Sequence, residues 1–160
     1  MATVVDYENR TADLSAFQGV FPHLRGREQL LAHELVRTTD GGSLVTGVLK
    51  GVQRFLVILL TPRGSKLYRP SEGTFFMTEA RLGAWRTPAD VSTAFYAARL
   101  LAARQMREVE LTTDPPDERY GVATLNGVTL VADKVSIRVD YESLAGTKVT
   151  VITPIQVPIK

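Results

Sequence analysis

The apolar residues change their spacing partway along the chain, and that change limits the fold more than any other feature. Val91, Phe95, Ala98, Leu101, Ala102 and Met106 recur at helical intervals along one face. Further on, Val135, Ile137, Val139 and Tyr141 alternate with Ser136, Arg138 and Asp140, the period of a half-buried strand. A chain that passes once from helical to strand periodicity packs helices on consecutive strands, which is the α+β class. The helix has a clear start at Thr87-Pro88-Ala89-Asp90. Thr is a good N-cap, Pro suits the first helical position, and Asp suits the positive helix end. This helix is predicted to run to Arg107. Strands are predicted at Glu108–Thr113, Tyr120–Leu125, Val128–Tyr141 and Gly146–Thr153, with Asn126-Gly127 as a hairpin turn. Pro154 and Pro158 stand where a last strand should stop or an edge be blunted.

Before the change of period the signals are more mixed. Leu44, Val48, Val52, Phe55, Leu56, Leu59 and Leu60 share a helical face, with Lys50, Gln53 and Arg54 placed elsewhere. A helix over 44–60 is predicted, weakened by Gly47 and Gly51 and ending before Pro62. An ordered loop follows to Gly73, with a short extended piece at Lys66–Arg69. Residues 26–37 fit helix or strand equally poorly. Thr39-Asp40-Gly41-Gly42 is a turn. Residues 1–25 read as an irregular arm with a short strand at Thr3–Tyr7. The expected plan is this arm, a domain over 26–153 with two main helices on a small antiparallel C-terminal sheet, and a tail over 154–160.

Composition narrows the chemistry. Lys plus Arg is 19 against 17 for Asp plus Glu, a net charge of +2, so there is no broad phosphate-binding face. There is no cysteine, which removes thiol nucleophiles and zinc ribbons. The two histidines, His23 and His33, lack the partner ligands of a metal site, so no metal or cofactor is expected. Phosphate-loop and G-x-S-x-G patterns are missing. Glu34 with Asp40, or Glu72 with Glu79, could serve as a glycosidase pair, but nothing separates them from surface acids. No signal peptide is recognisable, and the longest apolar run, Phe55 to Leu60, cannot span a bilayer.

Two constellations suggest binding. Arg63, Lys66, Tyr68 and Arg69 combine charge with an aromatic ring, as single-strand grooves do, and Arg99, Arg104 and Arg107 lie on the long helix. The near-balanced charge favours a solvated face and protein contacts over nucleic acid. Phe75, Phe76, Trp85, Phe95 and Tyr96 read first as core packing. Trp85, flanked by Arg81 and Arg86, is the best candidate for an interface anchor.

One ordered stretch carries a resemblance. It comprises Asp40-Gly41-Gly42-Ser43-Leu44-Val45-Thr46-Gly47, then Val52-Gln53-Arg54-Phe55 through Leu60-Thr61-Pro62-Arg63-Gly64, then Tyr68-Arg69-Pro70 and Glu72-Gly73. It resembles the bacteriophage tail baseplate wedge family, also called the lysozyme-like baseplate family. The likeness extends over about residues 38–153, with motifs in register from 40 to 73. Gln53, Leu60, Thr61, Gly64, Pro70 and Gly73 match the pattern. Two positions depart from it: Ser65 stands where the family often has Glu, and Arg107-Glu108-Val109-Glu110 replaces a Glu-Pro-Arg tripeptide. The resemblance implies a non-enzymatic virion protein made in the host cytoplasm. It would be present in several symmetry-related copies, touching other baseplate, tail-tube, hub or sheath proteins. Matching residues are expected to build the fold. Contacts are expected from Arg63, Lys66, Tyr68 and Arg69, from Trp85, and from Ile155 and Val157 in an exposed tail. The alternatives are a nucleic-acid-binding or tail accessory protein and, last, a peptidoglycan-degrading enzyme.

Overall fold

The structure, a computed structural model, describes residues 13–14, 18–20, 28–32 and 44–157. It is an α+β fold. Four short strands come first: β1 (Asp13–Leu14), β2 (Gln18–Val20), β3 (Glu28–Ala32) and β4 (Leu44–Val45). Helices α1 (Gly47–Leu60), α2 (Phe76–Arg81) and α3 (Pro88–Val109) follow. The long strands β5 (Tyr120–Val131), β6 (Lys134–Ser143) and β7 (Lys148–Gln156) close the chain as an antiparallel meander. β3 joins β7 in parallel and β2 joins β3, so the sheet order is β2-β3-β7-β6-β5. β1 and β4 form a separate pair. The ambiguous stretch 26–37 thus contains a strand, and β1 and β2 fall within the expected irregular arm. Thr3–Tyr7, His23, His33, Glu34 and Asp40 lie outside the described residues.

The helices cover one face of the sheet. Val135, Ile137, Val139 and Tyr141 of β6 and Val149, Val151 and Ile155 of β7 point at them and are buried. They meet Val52, Phe55, Leu56 and Leu59 of α1 and Val91, Phe95, Ala98, Ala102 and Met106 of α3. Across the other face Asp140 accepts from Asn126 on β5 and from Thr150 on β7, tying three strands together. Among the described residues, no helix is long and apolar enough to cross a membrane.

α3 begins where its sequence says. The Thr87 side chain accepts from the Asp90 N–H, and the Asp90 carboxylate accepts from the Thr87 and Arg86 N–H groups, a full capping box. Those hydrogen bonds hold Asp90 below the ordinary aspartate range. Its stabilisation is therefore complete above an unfolded value of about 3.9 and is lost as pH falls through the lower folded value. Thr87→Ala should cost about 1 kcal/mol in denaturant titrations at neutral pH. It should also move the Asp90 titration, followed by NMR, upward.

Several expectations are corrected. Glu108–Thr113 is no strand. α3 continues to Val109, the Glu110 N–H closes it on Met106, and Asp114 accepts the Leu111 N–H in the turn that follows. The alternation Glu108-Val109-Glu110-Leu111 imitated a strand, while the Arg104–Glu108 pair marks the helical register. Asn126-Gly127 is no hairpin turn either. It is a bulge inside β5, with the register shifting between Leu125 and Gly127. The bulge lets Leu125 and Val128 face Val139 and Ile137 on the same side. The hairpin reverses at Ala132-Asp133, where Ala132 has φ 51°.

The described part of the expected tail is mostly strand, and residues 158–160 lie outside the described residues. Pro154–Gln156 continue β7, and the Val157 N–H donates to the Asp133 carbonyl at 2.8 Å. That bond sets the alternation of the ladder, so Pro154 sits opposite Ser136 with its nitrogen turned away from β6, where a missing N–H is harmless. Lys66–Arg69 forms turns rather than an extended piece. Finally, α2 makes a third helix that periodicity did not reveal. Six residues are too few to show a period.

Candidate functional site

Four of the matching motif residues, Thr61, Gly64, Pro70 and Gly73, lie in one loop between α1 and α2. Thr61 ends α1 by donating both its N–H and its hydroxyl to the Val57 carbonyl. The chain then runs out and returns. Arg63 N–H donates to Thr74 O at 2.9 Å and Thr74 N–H to Thr61 O at 2.9 Å. Gly64 N–H donates to Pro70 O at 3.0 Å across the loop. The fully buried Thr74 hydroxyl donates to the Leu59 carbonyl and accepts from the Phe76 N–H, joining the end of α1 to the start of α2. Gly73 is gripped from α3: its N–H donates to Gln105 Oε1 at 2.8 Å, and its carbonyl accepts from Gln105 Nε2 at 3.0 Å. A side-chain amide thus serves as a strand partner for the loop. Gly64 and Gly73 hold φ of 84° and 94°, a region open to glycine at low cost. Pro70 shapes the return through its carbonyl, Gln53 lies buried on α1, and Leu60 packs against the core.

So braced, the loop lifts Leu67 and Tyr68 into solvent at 84% and 93% exposure. Lys66 is ion-paired with Glu72, and Arg69 reaches the same carboxylate at 3.9 Å. Arg63 stacks over the Phe75 ring. Between the loop, α1 and α3 lies an open groove of about 1060 Å³. Val57, Leu101 and Val109 give its lining an apolar part, and Arg54, Arg63, Arg69 and Arg104 line it as well. Arg54 is held by Asp13 of β1 through two bonds of 2.7 and 3.2 Å. The hydrogen bond to Asp13 raises the Arg54 pKa above its ordinary value against the opposing effect of burial.

Other expected contact residues lie elsewhere. Trp85 is buried, packed on Phe76 with ring centroids 4.6 Å apart, and is core rather than anchor. Ile155 and Val157 are 3% and 9% exposed and pack with the sheet's inner face, so they offer nothing to a partner. The α3 arginines are engaged within the fold. Arg99 donates to the Ala123 carbonyl and lies over Tyr96, Arg104 pairs with Glu108, and Arg107 lies over Tyr120. Of the candidate carboxylates within the described residues, Glu72 is paired with Lys66, and Glu79 belongs to α2.

A second feature is the outer edge of β5. Strand alternation, counted from the Val157–Asp133 bond, turns the even-numbered β6 residues toward β5. Their β5 partners bond inward, and the backbone groups of Ala123, Leu125, Val128 and Leu130 therefore face outward. Ala123 is closed off, accepting from Arg99 and donating to the Tyr120 hydroxyl. Beyond it, β5 borders no further strand among the described residues.

Beneath α1 sits a buried ion pair. Lys50 Nζ lies 2.6 Å from Glu118 Oε2, and both side chains are almost fully enclosed. The other Glu118 oxygen accepts from the Gly47 N–H at 3.1 Å, so a carboxylate from beyond α3 caps α1 while Thr46 makes no side-chain cap bond. Nearby, burial raises the Tyr120, Tyr141 and Glu110 pKa values, and Glu110 accepts the Tyr120 N–H. These groups brace the start of β5. The sequence placed Lys50 and Gln53 off the apolar face, whereas both are buried. Gln105 was missed as well. Its one signal was a polar side chain beside the apolar stripe of α3, between Ala102 and Met106. No protein-family model, curated protein or solved structure matches this chain.

Proposed function

We propose that this chain is a structural component of a phage or phage-like tail baseplate, joining the tube or hub to peripheral baseplate or sheath by protein–protein contacts. The carrying observation is that Thr61, Gly64, Pro70 and Gly73 close into one braced loop. A long helix and an antiparallel meander then follow over the rest of the stretch that carries the resemblance. Two surfaces suit assembly. The loop presents Leu67 and Tyr68 on a rigid base, so little order has to be gained on docking. The outer edge of β5 borders no further strand among the described residues, which suits the addition of one from a partner. In this reading no catalytic step is required of any residue. The nucleic-acid alternative gains no support from its own residues, since Lys66 and Arg69 both face Glu72.

The test is assembly in the absence of the chain. Particles made without it should lack organised tail tips, and the wild-type chain supplied in trans should restore them. The double variant Leu67→Ser/Tyr68→Ser should fold normally, because both side chains are exposed, and restore tails poorly. Normal tails in particles made without the chain would overturn the reading.

A further inference from the structure

We propose that the groove between α1, α3 and the 62–72 loop receives an extended acidic segment of a partner protein, and that Asp13 occupies one of its seats in cis. This stands on the groove alone, whatever particle the chain serves, so its failure would leave the baseplate reading untouched.

The observation behind it is a carboxylate already in place. Asp13 meets the Arg54 guanidinium with two oxygens, the forked geometry that arginine offers to carboxylates. The pair is about one-third exposed on each side, so solvent and competitors can reach it. Among the described residues, Asp13 belongs to the two-residue strand β1, which pairs with Leu44–Val45 of β4. Apart from Asp13, the groove lining holds Arg54, Arg63, Arg69 and Arg104 against Glu72 and Glu108, an excess of positive charge. Arg63 is engaged by the Phe75 ring and Arg69 by a 3.9 Å approach to Glu72. Both can turn to a new carboxylate.

The apolar part of the groove decides between a peptide and a nucleic acid. Val57, Leu101 and Val109 are among its lining residues, an apolar surface that apolar side chains fill and a sugar-phosphate backbone does not. Glu72 and Glu108 in the lining would also repel a uniform polyanion more than an alternating chain. An extended peptide with acidic residues on one side and apolar residues on the other satisfies the charged and apolar lining together.

The test uses a short fluorescein-labelled peptide alternating Asp and Leu, a counterpart with Asn for every Asp, and a thymidine oligonucleotide, read by anisotropy. The acidic peptide should bind at low salt, and the Asn counterpart should bind at least about tenfold more weakly. The double variant Arg63→Glu/Arg69→Glu, which alters exposed side chains, should weaken acidic-peptide binding by about tenfold or more. Asp13→Asn should tighten it by about threefold, because the competing carboxylate is removed. Arg81→Glu, an exposed position on α2 away from the groove, should leave it unchanged. Any one of four outcomes overturns the proposal: no binding of the acidic peptide, equal binding of the Asn counterpart, tighter binding of the oligonucleotide, or a loss with Arg81→Glu matching that of the groove variant.

Discussion

Lys50→Met should lower the stability of this protein by about 3–5 kcal/mol, far more than a charge removed from a surface. Lys50 is 1% exposed and Glu118 5%, with 2.6 Å between the charged atoms. Removing the ammonium leaves a carboxylate enclosed with one partner fewer, and desolvating a charge costs more than the lost attraction alone. The same carboxylate caps the Gly47 N–H, so the damage spreads to the start of α1. For a chain of this size each kcal/mol moves the melting temperature by about 2–4 °C, so a fall of about 10 °C is expected. Adding Glu118→Gln to Lys50→Met should recover part of the loss. The amide carries no charge to strand and can still accept from Gly47. Thermal and denaturant unfolding of the two single variants and the double variant measure this directly. Additive losses in the double variant would refute the coupling.

Gly73→Ala should cost about 3 kcal/mol or more, and Gly64→Ala only about 1 kcal/mol. Both positions hold a positive φ, so the backbone penalty is shared. Their surroundings differ. A Cβ on Gly73 would stand 2.3 Å from the Thr61 carbonyl oxygen, a contact that forces the two arms of the loop apart. A Cβ on Gly64 meets nothing within 4 Å. Opening the loop at Gly73 also strips two hydrogen bonds from Gln105. Hydrogen exchange should therefore quicken at the Arg63 and Thr74 amides in Gly73→Ala and stay near wild type in Gly64→Ala. Equal losses in the two variants would mean that the loop is not braced as described.

These cases show which features local sequence could reveal. The start of α3 was legible because its cap is made within four residues, by Thr87 and Asp90 acting on each other's N–H groups. The hairpin was misplaced because Asn126-Gly127 serves a turn or a bulge equally well. Asp140, across the sheet, anchors Asn126, and the inward facing of Leu125 and Val128 makes it a bulge. Helical spacing puts Lys50 off the apolar face and cannot show its burial, because its partner is 68 residues distant. Gly51 weakened the prediction of α1, yet a side chain there would strike the Tyr141 hydroxyl, so its smallness serves packing. The parallel pairing of β3 with β7 is likewise non-local and leaves no short pattern.

The candidate site divides in the same way. The loop residues were legible because Pro and Gly spell out turns. Tyr68 and Arg69 came out exposed, as a contact surface needs. Ile155 and Val157 were misjudged because prolines on either side suggested a free tail. Pro154 instead fits a strand position whose nitrogen needs no partner on β6. Gln105 escaped notice because a glutamine in a helix is common, and its task depends on a glycine brought to it by the fold.

The most direct measurement is immunogold electron microscopy of purified particles with an antibody against this chain. Label is expected at the tail end, near the tube tip, in symmetric clusters. Label on the head or neck, or on no particle at all, would contradict it.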